Sequence, residues 1–328
     1  MKKILVTGGA GFIGHHFCEH ILKNTDWDII ILDKLNYASS GFDRLKDVKV
    51  YDSKRVKVFT HDMSLPIVDG LSKEIGDIDY IIHMGAETHV DKSISDPEPF
   101  VISNVIGTMQ ILQFARKCKH LKMMVYFSTD EVFGPAPVGV NYKEWDRYNS
   151  GNPYSASKAG GEELCLAWSN TYRLPIIITH CMNVFGERQN VEKFIPKVIK
   201  SCITGEMVHI HADKQKEKAG VRCYIHARNV ASAVLFLLNK GYSKTDKYNI
   251  VGEKEVDNLS MALEISKIVG KPINYELTDF HSARPGHDLR YGLDGSKMKE
   301  LGYAIPTTFD KSLEKTILWT LNNRKWIE

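Results

Sequence analysis

Residues 4–14 read Ile4-Leu5-Val6-Thr7-Gly8-Gly9-Ala10-Gly11-Phe12-Ile13-Gly14. Ile4 to Thr7 has the short, apolar, β-branched character of a buried strand. A helical pattern runs from Phe12 to Lys23. Between them Gly8, Gly11 and Gly14 are spaced GxxGxxG. Such glycines let the backbone turn tightly and approach a pyrophosphate, which the free N–H groups of the helix N-terminus then hold. The spacing alone is weak. It becomes specific because a strand precedes it, a helix follows, and an acid, Asp33, closes the next apolar run, Ile29 to Leu32. A carboxylate there accepts both ribose hydroxyls and repels a 2′-phosphate, so NAD is expected rather than NADP. Lys34 adjoins Asp33 and softens that preference.

The same alternation continues. Val56 to Phe59, Tyr80 to Ile82, Met123 to Phe127 and Ile176 to Thr179 read as further apolar strands, with helices from about Pro99 to Lys117 and from Tyr154 to Tyr172. Nearly all-apolar strands alternating with helices predict an α/β fold, a Rossmann-type doubly wound parallel sheet covered on both faces. Ligands sit at the carboxyl ends of such strands. Asp62 and Met63 would then lie against the adenine, and Gly85, Ala86 and Glu87 would line the nicotinamide side. After about residue 186 the pattern loosens. Helices are expected at Phe194–Ile203, Asn229–Leu238, Ser260–Val269 and Phe309–Asn323, with short strands at Val208–Ile210, Cys223–His226, Tyr248–Val251 and Asn274–Leu277. The expected organisation is a NAD-binding domain over 1–186 and a smaller, interleaved C-terminal lobe over 187–328. Segments around 222–251 return to the first domain.

Bulk properties narrow the class. The 328 residues are 43% hydrophobic and 25% charged with a net charge of +3, too balanced to point to nucleic acid. Lys214, Lys216 and Lys218 read as a solvated loop. The six cysteines form no CxxC pair, which fits reduced thiols in a cytoplasmic protein. His209, His211, Cys223 and His226 do not match zinc-ligand spacing, and no metal is expected. No apolar run reaches the roughly 18 residues of a membrane span. The glycine loop follows Met1 too soon for the apolar region of a signal peptide.

The chemistry concentrates in Ser128-Thr129-Asp130-Glu131-Val132-Phe133-Gly134, at the end of the fifth strand, and in Tyr154-Ser155-Ala156-Ser157-Lys158. Tyr154 and Lys158 are four residues apart and share a helix face. Pro153 marks the start of that helix. A tyrosine base must fall by about 3 pH units from its ordinary value near 10, or about 4 kcal/mol, to work at neutral pH. Lys158 and a positive nicotinamide ring would supply that field. Tyr154 would remove a hydroxyl proton that Thr129 also contacts. Alcohol oxidation needs neither Asp130 nor Glu131. Two carboxylates beside a Tyr–Lys pair suit an elimination, one taking a carbon-bound proton and the other protonating a leaving hydroxyl. Gly160 and Gly161 inside the helix suggest close approach of another backbone, such as a partner helix.

With these residues in place the chain resembles the extended short-chain dehydrogenase/reductase superfamily and, within it, the nucleotide-sugar 4,6-dehydratases. The resemblance covers nearly the whole chain. It rests on TGGAGFIG (Thr7 to Gly14), DKLNYAS (Asp33 to Ser39), HVDKSI (His89 to Ile94), STDEVFG (Ser128 to Gly134) and YSASKA (Tyr154 to Ala159). NVFG with EKFIP, between Asn183 and Pro196, and RPGHDLRYGLD, from Arg284 to Asp294, extend it. It implies a redox-neutral cycle on an NDP-glucose, dTDP-glucose ahead of UDP-glucose. C4 is oxidised by bound NAD with Tyr154 as base. Glu131 then takes the C5 proton while Asp130 protonates the departing C6 hydroxyl, and C6 is reduced. The alternative on the same fold is a 4-epimerase, which has no use for Asp130. A homodimer through the helices near 99–117 and 154–172 is also implied.

Carried over position by position, Phe12, Ile13 and Asn36 join the cofactor residues. Thr88 and Asn183 would contact sugar and diphosphate. Lys193, Phe194 and Ile195 would wrap the nucleotide. Arg222 would clamp the diphosphate, with Asn258, Arg284, His287 and Tyr291 completing that pocket. The chain departs from the family at four places. Phe133 replaces the usual Tyr, and Gly85 the usual Ala. The segment from Gly134 to Tyr154 is shortened, and the loop from Ala212 to Val221 is longer and lysine-rich. That loop is expected close to the base.

Overall fold

A computed structural model describes residues 2–36, 39–241, 244–279 and 289–328. The chain begins β1 (Lys3–Thr7), α1 (Phe12–Asn24), β2 (Asp28–Asp33), α2 (Asp43–Asp47), β3 (Val56–Thr60), α3 (Asp69–Ile75) and β4 (Tyr80–His83). Next come α4 (Val90–Ser95) and α5 (Glu98–Val101), which runs through a π turn (Ile102–Ile106) into α6 (Gly107–Ala115). Then follow β5 (Met123–Thr129), α7 (Pro153–Tyr172) and β6 (Ile176–Cys181).

Seven parallel strands form the main sheet in the order β10-β6-β5-β4-β1-β2-β3, where β10 is Asp246–Ile250. The order reverses beside β1. This is where an open α/β sheet offers a crevice. Successive side chains leave opposite faces of a strand, and both faces here are apolar. Ile4, Val6, Ile29, Ile31, Val125 and Phe127 pack in one core with Phe17 and Ile21 of α1. Leu5, Ile30, Leu32, Met124 and Tyr126 pack in the other with Ile111, Leu112 and Cys165. That two-sided burial is why each strand is an unbroken apolar run.

Beyond β6 the chain forms β7 (Asn183–Phe185), α8 (Phe194–Thr204), β8 (Val208–Ala212), β9 (Val221–His226) and α9 (Ala227–Lys240). It ends, after β10, with β11 (Glu255–Asp257), α10 (Asn258–Val269), β12 (Tyr275–Asp279), α11 (Ser296–Glu300) and α12 (Phe309–Asn322). β11, β9 and β7 make a small mixed sheet, and β12 pairs with β8. These elements enclose their own core of Phe185, Val198, Ile199, Ile210, Met261, Ile265, Leu313 and Ile317. The expected helix from Pro99 to Lys117 is interrupted by the π turn. Gly161 meets the chain's own Tyr126 and the Asn104 carbonyl, and Gly160 lies next to Val105. The close approach that these glycines signal is therefore made inside the chain. Among the described residues no helix is long and apolar enough to cross a membrane, and no three His, Cys, Asp or Glu side chains gather to hold a metal.

Candidate active site

A cleft of about 380 Å³ opens along the carboxyl ends of β1, β2, β4 and β5. At its cofactor end the loop 8–14 has no room for side chains. Gly8 has φ +69°, and a Cβ there would lie 2.8 Å from the Gly85 backbone. A Cβ on Gly14 would fall on the Gly8 carbonyl oxygen. The N-cap of α1 is Gly11, with no side-chain cap and no acid in the first turn. The helix thus presents uncapped N–H groups and an unopposed positive end, as a pyrophosphate requires. Asp33 is buried, accepting from Ala10 N at 3.0 Å and Leu35 N at 2.8 Å. Burial raises its carboxyl, against those hydrogen bonds and the charges of Arg44 and Lys34. Lys34 reaches Glu87 at 2.7 Å, and Asn36 donates to the same oxygen at 3.2 Å, so the ends of β2 and β4 are strapped together. Phe12, Ile13, Met63, Gly85 and Ala86 line the cleft. Asp62 is not among the lining residues and accepts from the backbone and hydroxyl of Ser64. The loop, Asp33 and the small residues at the end of β4 fit a dinucleotide.

At the other end β5 and α7 converge. Asn152 and Ser155 form a capping box, Pro153 opens the helix, and Tyr154 and Lys158 lie buried against β5. Thr129 lies beside the Tyr154 phenol and donates to Asp130 Oδ1 at 3.1 Å. Asp130 is 5% exposed, and its Oδ2 has no hydrogen-bond partner among the described residues. Burial pushes its carboxyl up to about 6. Burial and the Asp130 charge push Glu131 up to about 7. Two adjacent groups this close in value titrate as a coupled pair. Burial first, then Glu131 and Asp130, hold the Tyr154 phenol well above its ordinary value. Lys158, itself lowered to about 8 by burial, is not among the leading influences on it.

The structure gathers Thr88, Asn183, Lys193, Phe194 and Ile195 along the cleft beyond Glu131. Arg222 stands behind that wall, donating to the Val221 and Leu289 carbonyls and lying 4.9 Å over the Tyr291 ring. Asn258 accepts from Tyr224, which does face the cleft. Arg284 and His287 lie outside the described residues. Lys214, Lys216 and Lys218 are exposed on a turn that Asp213 ties down, and none of the three lines the cleft.

Sequence reading missed several residues. Asn104, in the π turn, accepts from Glu87 N and donates to Glu87 O and Ser157 Oγ, all at 2.9 Å, and so fixes the end of β4 against α7. π turns recur at functional sites. Asn152 donates to Glu131 Oε2 at 3.1 Å. Glu162 collects Ser128, Tyr148, His180 and Lys247 behind the strand end. The one signal for Asn152 was its position before Pro153, the N-cap place.

The NAD dependent epimerase/dehydratase family matches residues 4–251. The chain belongs to this family. It is 36% identical over 351 residues to the dTDP-glucose 4,6-dehydratase of Escherichia coli, covering 99% of this chain and 95% of that protein. It is 34% identical to a trifunctional UDP-glucose 4,6-dehydratase of Arabidopsis thaliana, across 99% of this chain and 48% of that longer protein. The crystal structure of DesIV, a dTDP-glucose 4,6-dehydratase from Streptomyces venezuelae with NAD and TYD bound, superposes with a TM-score of 0.88. It is 33% identical, covering 99% of this chain and 98% of that one.

Proposed function

We propose that the protein is an NAD-dependent nucleotide-sugar 4,6-dehydratase, a hydro-lyase that takes dTDP-glucose ahead of UDP-glucose to the 4-keto-6-deoxy sugar. The observation that carries this reading is the carboxyl pair of buried Asp130 and half-buried Glu131 beside the Tyr154 phenol, with both carboxyls raised toward neutrality. NAD, when bound, supplies a reversible two-electron oxidation. Gly8, Gly11, Gly14 and the α1 N-terminus would hold its pyrophosphate, Asp33 a ribose, and Met63, Gly85 and Ala86 its rings.

Tyr154 Oη takes the proton of the C4 hydroxyl, which the Thr129 hydroxyl orients. The C4 ketone acidifies C5–H, and a Glu131 oxygen removes that proton. The C6–O bond breaks as Asp130 delivers its proton to the leaving hydroxyl, which departs as water. Burial suits both carboxyls to this exchange, because each can hold or release a proton near pH 7. Thr88, Asn183, Lys193, Phe194, Ile195 and Arg222, with Asn258 and Tyr291 behind them, would bind the nucleotide sugar. We assign NAD binding to residues 1–186 and sugar-nucleotide binding mainly to 187–328, with about 222–251 returning. Exposed apolar residues Val101, Ile102 and Ile106 around the π turn, with Tyr172 of α7, support a homodimer through these helices. Six free thiols, five of them buried, support a reducing, cytoplasmic setting.

The test offers dTDP-glucose and UDP-glucose in parallel, read by product mass and by the alkaline absorbance of a 4-keto sugar. Loss of one water from either supports the dehydratase, and the preferred substrate names the base. Unchanged mass with galactose formed would make the protein a 4-epimerase.

A further inference from the structure

Glu162 is a carboxylate with no solvent exposure, one helical turn beyond Lys158 on α7. Its Oε1 accepts from the Ser128 hydroxyl, and its Oε2 from the Tyr148 phenol. His180 Nε2 lies 3.1 Å and Lys247 Nζ 3.5 Å from Oε2. Burial pushes the carboxyl up, and His180, Lys247 and Ser128 together override it, bringing the Glu162 carboxyl down to about 2. The same network holds the His180 ring. The Asn249 amide donates to the Tyr142 and Asp294 carbonyls, each at 3.0 Å, which leaves its Oδ1 facing His180 Nδ1 at 2.9 Å. Both ring nitrogens of His180 therefore face acceptors. A carboxylate held by His180, Lys247 and two hydroxyls is a rigid charge.

We propose, on the reading of Tyr154 and Lys158 given above, that Glu162 is a positioning residue: it is the buried counter-charge that keeps Lys158 an ammonium beside Tyr154. Lys158 Nζ lies 4.2 Å over the Tyr126 ring of β5. The titratable groups around it are Tyr154, Glu162 and Cys165 on its own helix, Cys181 of β6 and His83 of β4. The π turn and α6 contribute the uncharged Asn104 and Thr108. Burial pushes the two cysteines up, leaving neutral thiols, and His83 down to about 3, leaving a neutral ring. Glu162 is thus the anion of this set at neutral pH, and it leads the influences that oppose the burial of Lys158. Through Ser128 it also anchors the residue before Thr129, so one charge ties the two halves of the site.

The test is Glu162→Gln together with Glu162→Gln/Lys247→Met. The double variant removes one buried charge of each sign, so it keeps the buried total and folds if the single variant does not. Two readouts are taken on the NAD-loaded enzyme: the NMR titration of the Lys158 side chain, assigned with Lys158→Met, and the alkaline limb of kcat/KM. Both are expected to move to lower pH by roughly one unit in either variant. A fall in kcat with the titration and the limb unmoved would overturn the proposal and leave Glu162 a packing residue. The titration reads Lys158 whatever the substrate. A wild-type enzyme that forms no 4-keto product while Lys158 still shifts would therefore sink the dehydratase reading and spare this one.

Discussion

Asn152 links the two halves of the site. Its Nδ2 donates to Glu131 Oε2 at 3.1 Å while its Oδ1 accepts the Ser155 N–H at 2.9 Å, capping the helix that carries Tyr154. The orientation of a carboxylate at the end of β5 and the start of α7 therefore depend on one side chain. Asn152→Ala should lose the cap, about 1 kcal/mol of stability, and free Glu131. Asn152→Asp keeps an N-cap oxygen but sets a second negative charge against Glu131. Its melting temperature should stay within a few degrees of wild type, while the acidic limb of kcat/KM moves to higher pH because Glu131 ionises later. An unmoved limb in Asn152→Asp would mean that Glu131 is not the base that limits the rate.

The raised carboxyls carry a stability consequence. Asp130 and Glu131 hold protons in the folded state, up to about 6 and about 7, that the unfolded chain has released. The folded state binds more protons through that window, so these groups lower stability as pH rises from about 4 to 7, and the penalty persists above it. Glu131→Gln removes a penalised charge. It should raise stability at pH 8 by on the order of 1 kcal/mol, with the gain vanishing near pH 4. Thermal melts of both proteins at the two pH values measure this. The same variant, and Asp130→Asn, should retain C4 oxidation and fail to release water.

Phe133, where the family resemblance led to an expected Tyr, is packed into an apolar group. Its ring lies 4.8 Å from that of His180 and 5.6 Å from those of Tyr142 and Tyr148, fully buried with Val132, Met182, Cys223 and Leu293. It closes an apolar lid over the Glu162–His180 group. Phe133→Tyr brings a hydroxyl into that packing. It should cost about 1–3 kcal/mol in chemical denaturation, leaving the substrate preference unchanged.

The strands were legible because burial on both faces removes polar residues from them, as at Ile29–Leu32 and Met123–Phe127. The cofactor loop was legible because its glycines answer a local demand, a turn between strand and helix. Contacts assembled by the sheet order were not. Glu162, His180 and Lys247 lie in α7, β6 and β10, and only the pairing β10-β6-β5 brings them together. The π turn was hidden because Ile102–Ile106 has ordinary helical composition. What distinguishes it is Asn104, whose three side-chain hydrogen bonds exist only in the folded chain.

Two glycines of the cofactor end separate backbone need from mere smallness. A Cβ on Gly14 would strike the Gly8 carbonyl oxygen and the Gly9 Cα, both backbone atoms of the loop itself. Neither can yield without opening the turn, so Gly14→Ala should abolish NAD retention on purification. A Cβ on Gly85 would meet the Sδ and Cε of Met63. Those are the far end of a flexible side chain that can rotate away. Gly85 also lies close to Gly8, but its own Cβ would point toward Met63 and stay 3.3 Å from Thr7 Oγ1. Gly85→Ala should therefore bind NAD within about threefold of wild type, a difference below 1 kcal/mol. Calorimetric titration of the two apo variants with NAD decides it. Equal loss in both would mean that the cleft at β4 is as rigid as the loop at β1. Equal tolerance would mean that the turn at Gly8–Gly14 is not what holds the pyrophosphate.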